Sequence, residues 1–583
     1  MKKITDIIAD RIVKLGIKNV YAITGGAVMH LLDSFKKKKI NLIFCHHEQA
    51  ALLAATSEAR INNSIGCAVV TQGPGVTNAI TGLAAAWFDS IPCLIFSGQA
   101  RSDLFSKKHF KVRQLAPQSF QITKLIESLS NEVYMPNNLN DFCKNFENKL
   151  LQLNSSRPGP VWIDLPVDIQ WSKIDSKKIL KPKTKKKKII INKKKYSEFI
   201  RLIKESSKPL ILIGSGIKLS ESVKIFKKFY KINKIPLISS WNASDILDNN
   251  EQLYIGRPGI FGQRGANYII QKCDLLICLG TGLGAGLTTY NFKDFGRNAK
   301  KIFINNDTNE LNASRFKIHL KWNVDVKILL EHLTDKKILS LDKKWEVEAK
   351  KIKKMNFYEF KRDFNLKNIT DPYFFCDQIS KLNKNKKTIF CVDGGGIITQ
   401  VAPQMLNLSN KHKLNISAGL CTMGCLPEAL GAKIAKKDHE VIFLTGDGSL
   451  MMNLQELQTI KHYKKNIKIF VLSNNTYGLM MMAQKAFFNK NYVGSSNASG
   501  VSFPDLKKIS DVFDFDYFKI LNNKDLLKKL PKILKNKKRL ICEIIISKEF
   551  KMNPAFSTRV SKGKKIQATL DSMEPYLNQE EII

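Results

Sequence analysis

Residues 441–460 read VIFLTGDGSLMMNLQELQTI. An apolar run enters Gly446-Asp447-Gly448-Ser449, and an amphipathic pattern follows, so the stretch predicts strand, tight turn and helix. A helix start offers unpaired N–H groups, and glycines let a phosphate approach the backbone closely. Asp447 is acceptor-only, so beside a phosphate it calls for a divalent cation between them. Magnesium commonly takes one carboxylate together with phosphate oxygens. A second oxygen ligand is then expected at the end of a neighbouring strand. The next apolar run, IKIFVLS, ends directly at Asn474-Asn475. Gly-Asp-Gly alone fits any tight strand–helix turn. Joined to an Asn pair about 27 residues later, it predicts a diphosphate–magnesium clamp.

Outward from this stretch the chain alternates strand and helix patterns in three blocks. The expected fold is α/β, with three doubly wound parallel-sheet domains. The first domain spans 1–172, with strands near Val20 to Ile23, Gly66 to Thr71, Cys93 to Ser97 and Val161 to Asp164. A basic linker at 173–195 contains KPKTKKKK. The central domain, 196–340, opens with Pro209 to Ile213 and Gly214-Ser215-Gly216, and continues through Leu275 to Leu279 and Lys301 to Ile304. A charged helical linker covers 341–370. The third domain, 371–547, has strands at Thr388 to Val392, Val441 to Thr445, Ile467 to Ser473 and Leu540 to Ile546, and an irregular tail fills 548–583. The first and third domains match in length and alternation but show no sequence repeat.

Composition sets further bounds. Hydrophobic residues at 44% and charged residues at 25% predict folded cores rather than disorder. No apolar run approaches a membrane span. The start, MKKITDIIADRIVKLG, is broken by Asp6, Asp10 and Arg11, and reads as the first helix of a cytoplasmic protein. Eleven scattered cysteines without CxxC pairs read as reduced, mostly buried thiols, and the apolar segment holding Cys421 and Cys425 reads as packing. The net charge of +43 comes from lysines spread along the chain, with dense runs (36–39, 185–188, 193–195) between elements. No pattern of interleaved aromatics and arginines marks a base-stacking surface, so nucleic acid is not the expected partner.

These motifs together resemble the thiamine-diphosphate enzyme superfamily, in particular acetolactate-synthase-like proteins of the large catalytic subunit type. The resemblance covers nearly the whole chain and implies pyrimidine-binding, central and diphosphate-binding domains in that order. It implies magnesium bound by Asp447, the Asn474 side-chain oxygen and the Thr476 carbonyl. Gly446, Gly448, Ser449, Tyr477 and Gly478 would then lie beside the cofactor. Ser473 stands where relatives carry Asn. In FCHHEQAALLAATSEAR, Glu48 would protonate the aminopyrimidine ring from an apolar setting, Ala50 to Ala55, while His46 and His47 are structural. In TQGPGVTNAITGLAAA, Pro74 and Asn78 would flank that ring. Gly26 and Ala27 would cover the reacting carbon, and Gln118 would face the substrate side. Segments 97–99 and 157–170 are also similar to the family. In GLCTMGCLPEALGA, one residue shorter than in relatives, Met423 would be the wedge that bends the cofactor. The central Gly214-Ser215-Gly216 would suit FAD, with an empty spacer domain as the alternative.

The implied reaction is decarboxylation of a 2-ketoacid such as pyruvate, followed by carboligation of the two-carbon unit to an aldehyde or ketone. Val167, Gly282 and Ala483 stand where acetolactate synthases carry Lys, Arg and Trp. VRQLAPQSFQI, GVSFPDLKKI and the C-terminal STRVSKGKKIQATLDSMEPYLNQEEII resemble a subgroup associated with surface polysaccharides and unusual sugars, whose acceptors include nucleotide-linked keto-sugars. Acetolactate synthase proper and a simple 2-ketoacid decarboxylase are the alternatives, and a non-enzymatic basic binding protein is a third. The family places its site between the first domain of one subunit and the third of another, in a homodimer or homotetramer.

Overall fold

A computed structural model describes residues 1–105, 112–114, 116–182, 191–357, 368–556, 558–561, 564–567 and 569–576. Three six-stranded parallel sheets form the three expected domains. Their central strands, such as Gly66–Val70, Leu275–Leu279 and Ile467–Ser473, are buried along their whole length. Such unbroken apolar runs are what a parallel sheet covered on both faces requires.

In the first domain the strands, in chain order, are Asn19–Ala22, Asn41–Phe44, Gly66–Val70, Cys93–Gln99, Glu132–Tyr134 and Val161–Pro166. They lie in the sheet as second, first, third, fourth, sixth, fifth. The third domain has Thr388–Val392, His412–Asn415, Glu440–Gly446, Ile467–Ser473, Asp516–Ile520 and Leu540–Ile545, in the same order. The likeness inferred from alternation is thus a shared topology. The central domain differs. Its strands Pro209–Ile213, Leu237–Ser239, Tyr254–Gly256, Leu275–Leu279, Lys300–Asn305 and Leu320–Asn323 run third, second, first, fourth, fifth, sixth. This is the order of dinucleotide-binding folds.

The first and third domains meet through equivalent helices, Glu48–Asn62 and Leu426–Ala435, each following the second strand of its sheet. Small residues allow the approach: a Cβ at Gly431 would collide with the Ala54 carbonyl. A buried polar node pins the contact. Arg60 pairs with Asp89 at 2.8 Å and lies 3.6 Å from Glu428. Asn242 of the central domain also donates to Asp89, at 3.0 Å. Burial pushes the Glu428 carboxyl up to about 7, although Arg60 opposes the shift.

Four expectations need correction. The 173–195 segment is structured at both described ends. Lys173–Ile174 pairs antiparallel with Lys2–Lys3, and Asn192 caps a helix that already begins at Lys193; residues 183–190 lie outside the described set. Lysines 36–37 and 193–195 therefore belong to helices rather than to gaps between elements. The tail is not irregular. Ala555–Phe556 pairs with Met573–Glu574, and Leu570 and Met573 are buried. Arg264 ties it down by donating to the Met573 and Pro575 carbonyls. Lastly, Cys421 is exposed, while the other ten cysteines are buried.

The expected 341–370 linker is in part the helix Lys343–Lys354, which packs Trp345, Ala349 and Ile352 inward; 358–367 lie outside the described residues. So do Leu115 of VRQLAPQSFQI and parts of the C-terminal segment. Among the described residues no helix is long and apolar enough to cross a membrane.

Candidate active site

Loops at the carboxyl ends of the first sheet gather the N-terminal residues, where open α/β sheets bind ligands. Glu48 is the first residue of its helix and is buried, at 8% exposure. His47 caps that helix, its Nδ1 accepting from Gln49 N–H at 3.1 Å, which bears out its structural reading. Ala50 to Ala55 are all buried behind Glu48. From the helix Pro74–Phe88, Asn78 donates to Glu48 Oε2 at 3.0 Å. The turn into that helix needs Gly73, at φ +62°, where a Cβ would press on Gln118. Gln118 is therefore brought to the Glu48 loops. Ala27 is also there: its carbonyl lies against Gly98 and accepts from Gln170 Nε2 at 2.6 Å. Gly26 has open space where a side chain would stand.

The third sheet gathers the other set at its own carboxyl edge. Asp447 is buried, and its Oδ2 accepts the N–H groups of Asn474 and Asn475 at 3.0 and 2.7 Å. Oδ1 accepts Gly448 N–H at 2.8 Å. Burial raises the Asp447 carboxyl above its ordinary range, and these backbone bonds partly offset it. No Lys or Arg pairs with it among the described residues. Asn474 Oδ1 accepts from Thr476 N–H at 3.1 Å, which holds the amide oxygen and the Thr476 backbone together. Asn475 supplies the left-handed turn between them, at φ +55°. Asn474 Nδ2 and Thr476 Oγ1 are buried without a hydrogen-bond partner in the protein.

This donor set fits magnesium with a diphosphate. A buried carboxylate lacks a counter-cation, two oxygen donors adjoin it, and two buried polar atoms wait for a partner. Among the described residues no trio of His, Cys, Asp or Glu forms a metal site by itself. The remaining ligands must therefore come from phosphate or water, as magnesium prefers. Ser473 donates weakly to Asp447 Oδ2, at 3.4 Å.

The glycines here make room. A Cβ on Gly448 would collide with the Tyr477 ring, and one on Gly478 would lie 2.8 Å from Ile397 and 2.9 Å from Asn474 Nδ2. A Cβ on Gly446 would meet only the Leu472 carbonyl, at 3.8 Å. Met423 packs over Gly395, where a Cβ would collide with its side chain. Its neighbour Gly424, at φ +83°, donates its N–H to Ser449 Oγ at 2.9 Å. Asp393, missed from the sequence, links these parts: it accepts from Thr445 and Ser449 at 2.7 and 2.6 Å. Burial raises its carboxyl to about 6. The signal that marks it is Val392-Asp393-Gly394-Gly395-Gly396, a strand end followed by glycines like that at 446–448.

Within one chain the two sets stay apart: among the described residues no hydrogen bond joins Glu48 or Asn78 to 446–478. The Glu48 loop touches that stretch through its neighbour His46, whose N–H donates to Glu456 at 2.9 Å. In the central domain, Gly214-Ser215-Gly216 opens a crevice of about 390 Å³ at the point where the strand order reverses. Its wall is poorly suited to the diphosphate of FAD. Arg157 is held by Asp307 and Glu310 at 3.0 and 2.8 Å, Lys327 lies 3.8 Å from Glu221, and Glu310 faces Gly282. Val167 begins a short helix after the strand Val161–Pro166, and Ala483 lies on the helix Gly478–Phe487.

Comparison with known families agrees with this division. Residues 2–118 match the thiamine pyrophosphate enzyme N-terminal TPP binding domain, 196–333 its central domain and 394–544 its C-terminal TPP binding domain. The chain is 29% identical to an acetolactate synthase large subunit of Cyanidium caldarium, across 96% of both chains. It is 27% identical to the acetolactate synthase isozyme 2 large subunit of Escherichia coli (strain K12), across 85% of this chain and 87% of that one. Chloroplastic acetolactate synthase 2 of Nicotiana tabacum is 26% identical, over 94% of this chain and 82% of its own. With all three domains matched in order and a clamp and acid of fitting geometry in two of them, the chain belongs to the thiamine pyrophosphate enzyme family.

Proposed function

We propose that this enzyme decarboxylates a 2-ketoacid, pyruvate being the simplest, and joins the two-carbon unit to an aldehyde or ketone acceptor. The observation that carries the reading is a buried acid, Glu48, held by the amide of Asn78, together with a buried Asp447–Asn474–Thr476 clamp on two sheets of one topology. Bound thiamine diphosphate supplies the electron sink for loss of carbon dioxide. Asp447, the Asn474 side-chain oxygen and the Thr476 carbonyl hold its magnesium, and Glu48 holds or yields a proton at the pyrimidine ring. Pro74 and Asn78 flank that ring, Met423 supports the bend, and Gly26, Ala27 and Gln118 line the substrate side.

The acceptor divides two readings. Val167, Gly282 and Ala483 favour an acceptor other than a second ketoacid, such as a nucleotide-linked keto-sugar of the surface-polysaccharide type. The acetolactate synthase relatives, similar along nearly the full chain, favour the ketoacid. The unbonded halves within one chain support a site shared between two copies, in a homodimer or homotetramer. Ten buried cysteines with none in a disulfide support a reducing, cytoplasmic setting.

The deciding experiment incubates the protein with thiamine diphosphate, magnesium and pyruvate, alone and with 2-ketobutyrate or keto-sugar nucleotides. Mass spectrometry of the products is the readout. A ligated product identifies the acceptor, whereas acetaldehyde alone in every mixture sinks the carboligase reading.

A further inference from the structure

A large cavity lies away from the site just described. It is a cleft of about 670 Å³ where the three domains meet. Its third-domain wall is built from residues just before the strands Thr388–Val392 and Glu440–Gly446 and from those before and within the edge strand His412–Asn415. This is the edge of the sheet opposite the clamp. Seven of its seventeen lining residues are Lys or Arg, against 94 of 583 in the whole chain, so overall composition does not account for the charge.

Its charges are unevenly matched. The two acids of the wall are already engaged, Asp245 by Lys218 and Glu221 by Lys327. Lys387 pairs with Asp438 at 2.9 Å. By contrast, Lys224 and Lys413 have no hydrogen-bond or ion-pair partner among the described residues. Lys227, half-buried, reaches only the neutral Asn410 side chain, at 3.4 Å. Burial lowers its affinity for a proton; Asp245 opposes this, Lys413 adds to it, and Asp248 opposes it least. Lys411 bonds a backbone carbonyl at 3.1 Å. At the inner end lies Arg60, whose side chain is 6% exposed and whose Nε is buried with no acceptor. A buried N–H without a partner costs free energy unless something supplies one.

We propose that this cleft binds an oligophosphate anion, with Lys224 and Lys227 of the central domain and Lys411 and Lys413 of the third domain as its cations. An extended chain of phosphates offers several charged groups to ammonium groups contributed from two walls. The bond to such a ligand would join the domains at a point remote from the thiamine site, and the inference does not depend on the reaction proposed above.

The test is calorimetric titration of the full-length protein with inorganic tripolyphosphate, ATP, orthophosphate and a short single-stranded oligonucleotide. Saturable binding of tripolyphosphate with one site per chain is expected, together with a raised melting temperature. The variant Lys224→Ala/Lys413→Ala should weaken it by about tenfold or more, the scale of lost charge-assisted hydrogen bonds. Lys343→Ala/Lys344→Ala, with the same change of net charge on a helix elsewhere, should leave it unaltered. Comparable binding of tripolyphosphate and ATP assigns recognition to the phosphate chain. Tighter binding of ATP adds a base contact to the same site. The proposal is overturned by equal weakening in both variants, by orthophosphate binding as tightly, by tighter binding of the oligonucleotide, or by no saturable binding.

Discussion

The side-chain amide of Asn78 donates to Oε2 of Glu48 at 3.0 Å, joining the first turns of two helices that follow different strands. The bond fixes the carboxyl group over Gly75, where an added Cβ would lie 3.4 Å from Oε1. Glu48→Gln preserves size and an oxygen that accepts from Asn78, but it cannot carry the proton. Decarboxylation should fall by about 10²- to 10⁴-fold, the usual worth of a positioned acid–base group. Melting temperature and cofactor affinity are measured alongside; activity within tenfold of the parent would remove Glu48 from its role.

Asp447→Asn tests the clamp. The substituted amide keeps one accepting oxygen and turns an NH₂ group either to the N–H of Gly448 or to those of Asn474 and Asn475, and it loses the negative charge. Magnesium-dependent binding of thiamine diphosphate should weaken by at least the roughly 10- to 100-fold that loss of a supporting partner costs a metal site. Titration followed by tryptophan fluorescence, with and without magnesium, measures it. Unchanged magnesium dependence would move the metal elsewhere.

Gly448→Ala drives a methyl group into the Tyr477 ring. Overpacking of this kind costs about 1–3 kcal/mol. Tyr477→Ala empties that space, so the double variant should be more stable than the two single losses predict. Urea unfolding of the four proteins closes the cycle, and strict additivity would show that ring and turn do not touch.

Stability should fall as pH rises from about 5 to 8. Burial raises Glu428 from 4.5 to about 7 and Asp164 from 3.8 to about 7, so both favour the protonated form in the folded protein. Their contribution is complete below the unfolded values and is lost as pH passes the folded ones. Glu428→Gln and Asp164→Asn, neutral throughout, should flatten that slope in melting curves taken across the range. A slope unchanged in both variants would contradict the assignment.

Much of the fold was legible because strands buried on both faces have to be apolar throughout, as Cys93–Gln99 and Ile467–Ser473 are. The strands missed were mostly short or at sheet edges. Asn41–Phe44 and Asp516–Ile520 are partly exposed and carry no such run. The clamp was readable because its parts lie near one another in sequence. The node of Arg60, Asp89 and Glu428 was not, since its members come from two domains and have no local signature. The tail was misjudged because two apolar anchors, Leu570 and Met573, are too few to set a period.

The common strand order of the first and third domains divides labour between two copies of one scaffold. On the proposed reading, the same carboxyl-edge loops carry a proton-handling acid, Glu48, on one sheet and an ion-and-phosphate grip around Asp447 on the other. Because each task is held by its own loops, substrate preference can drift in one set without loosening the other. A chain that keeps the proposed grip while carrying Val167, Gly282 and Ala483 at the positions of a Lys, an Arg and a Trp is what such independent tuning would leave behind.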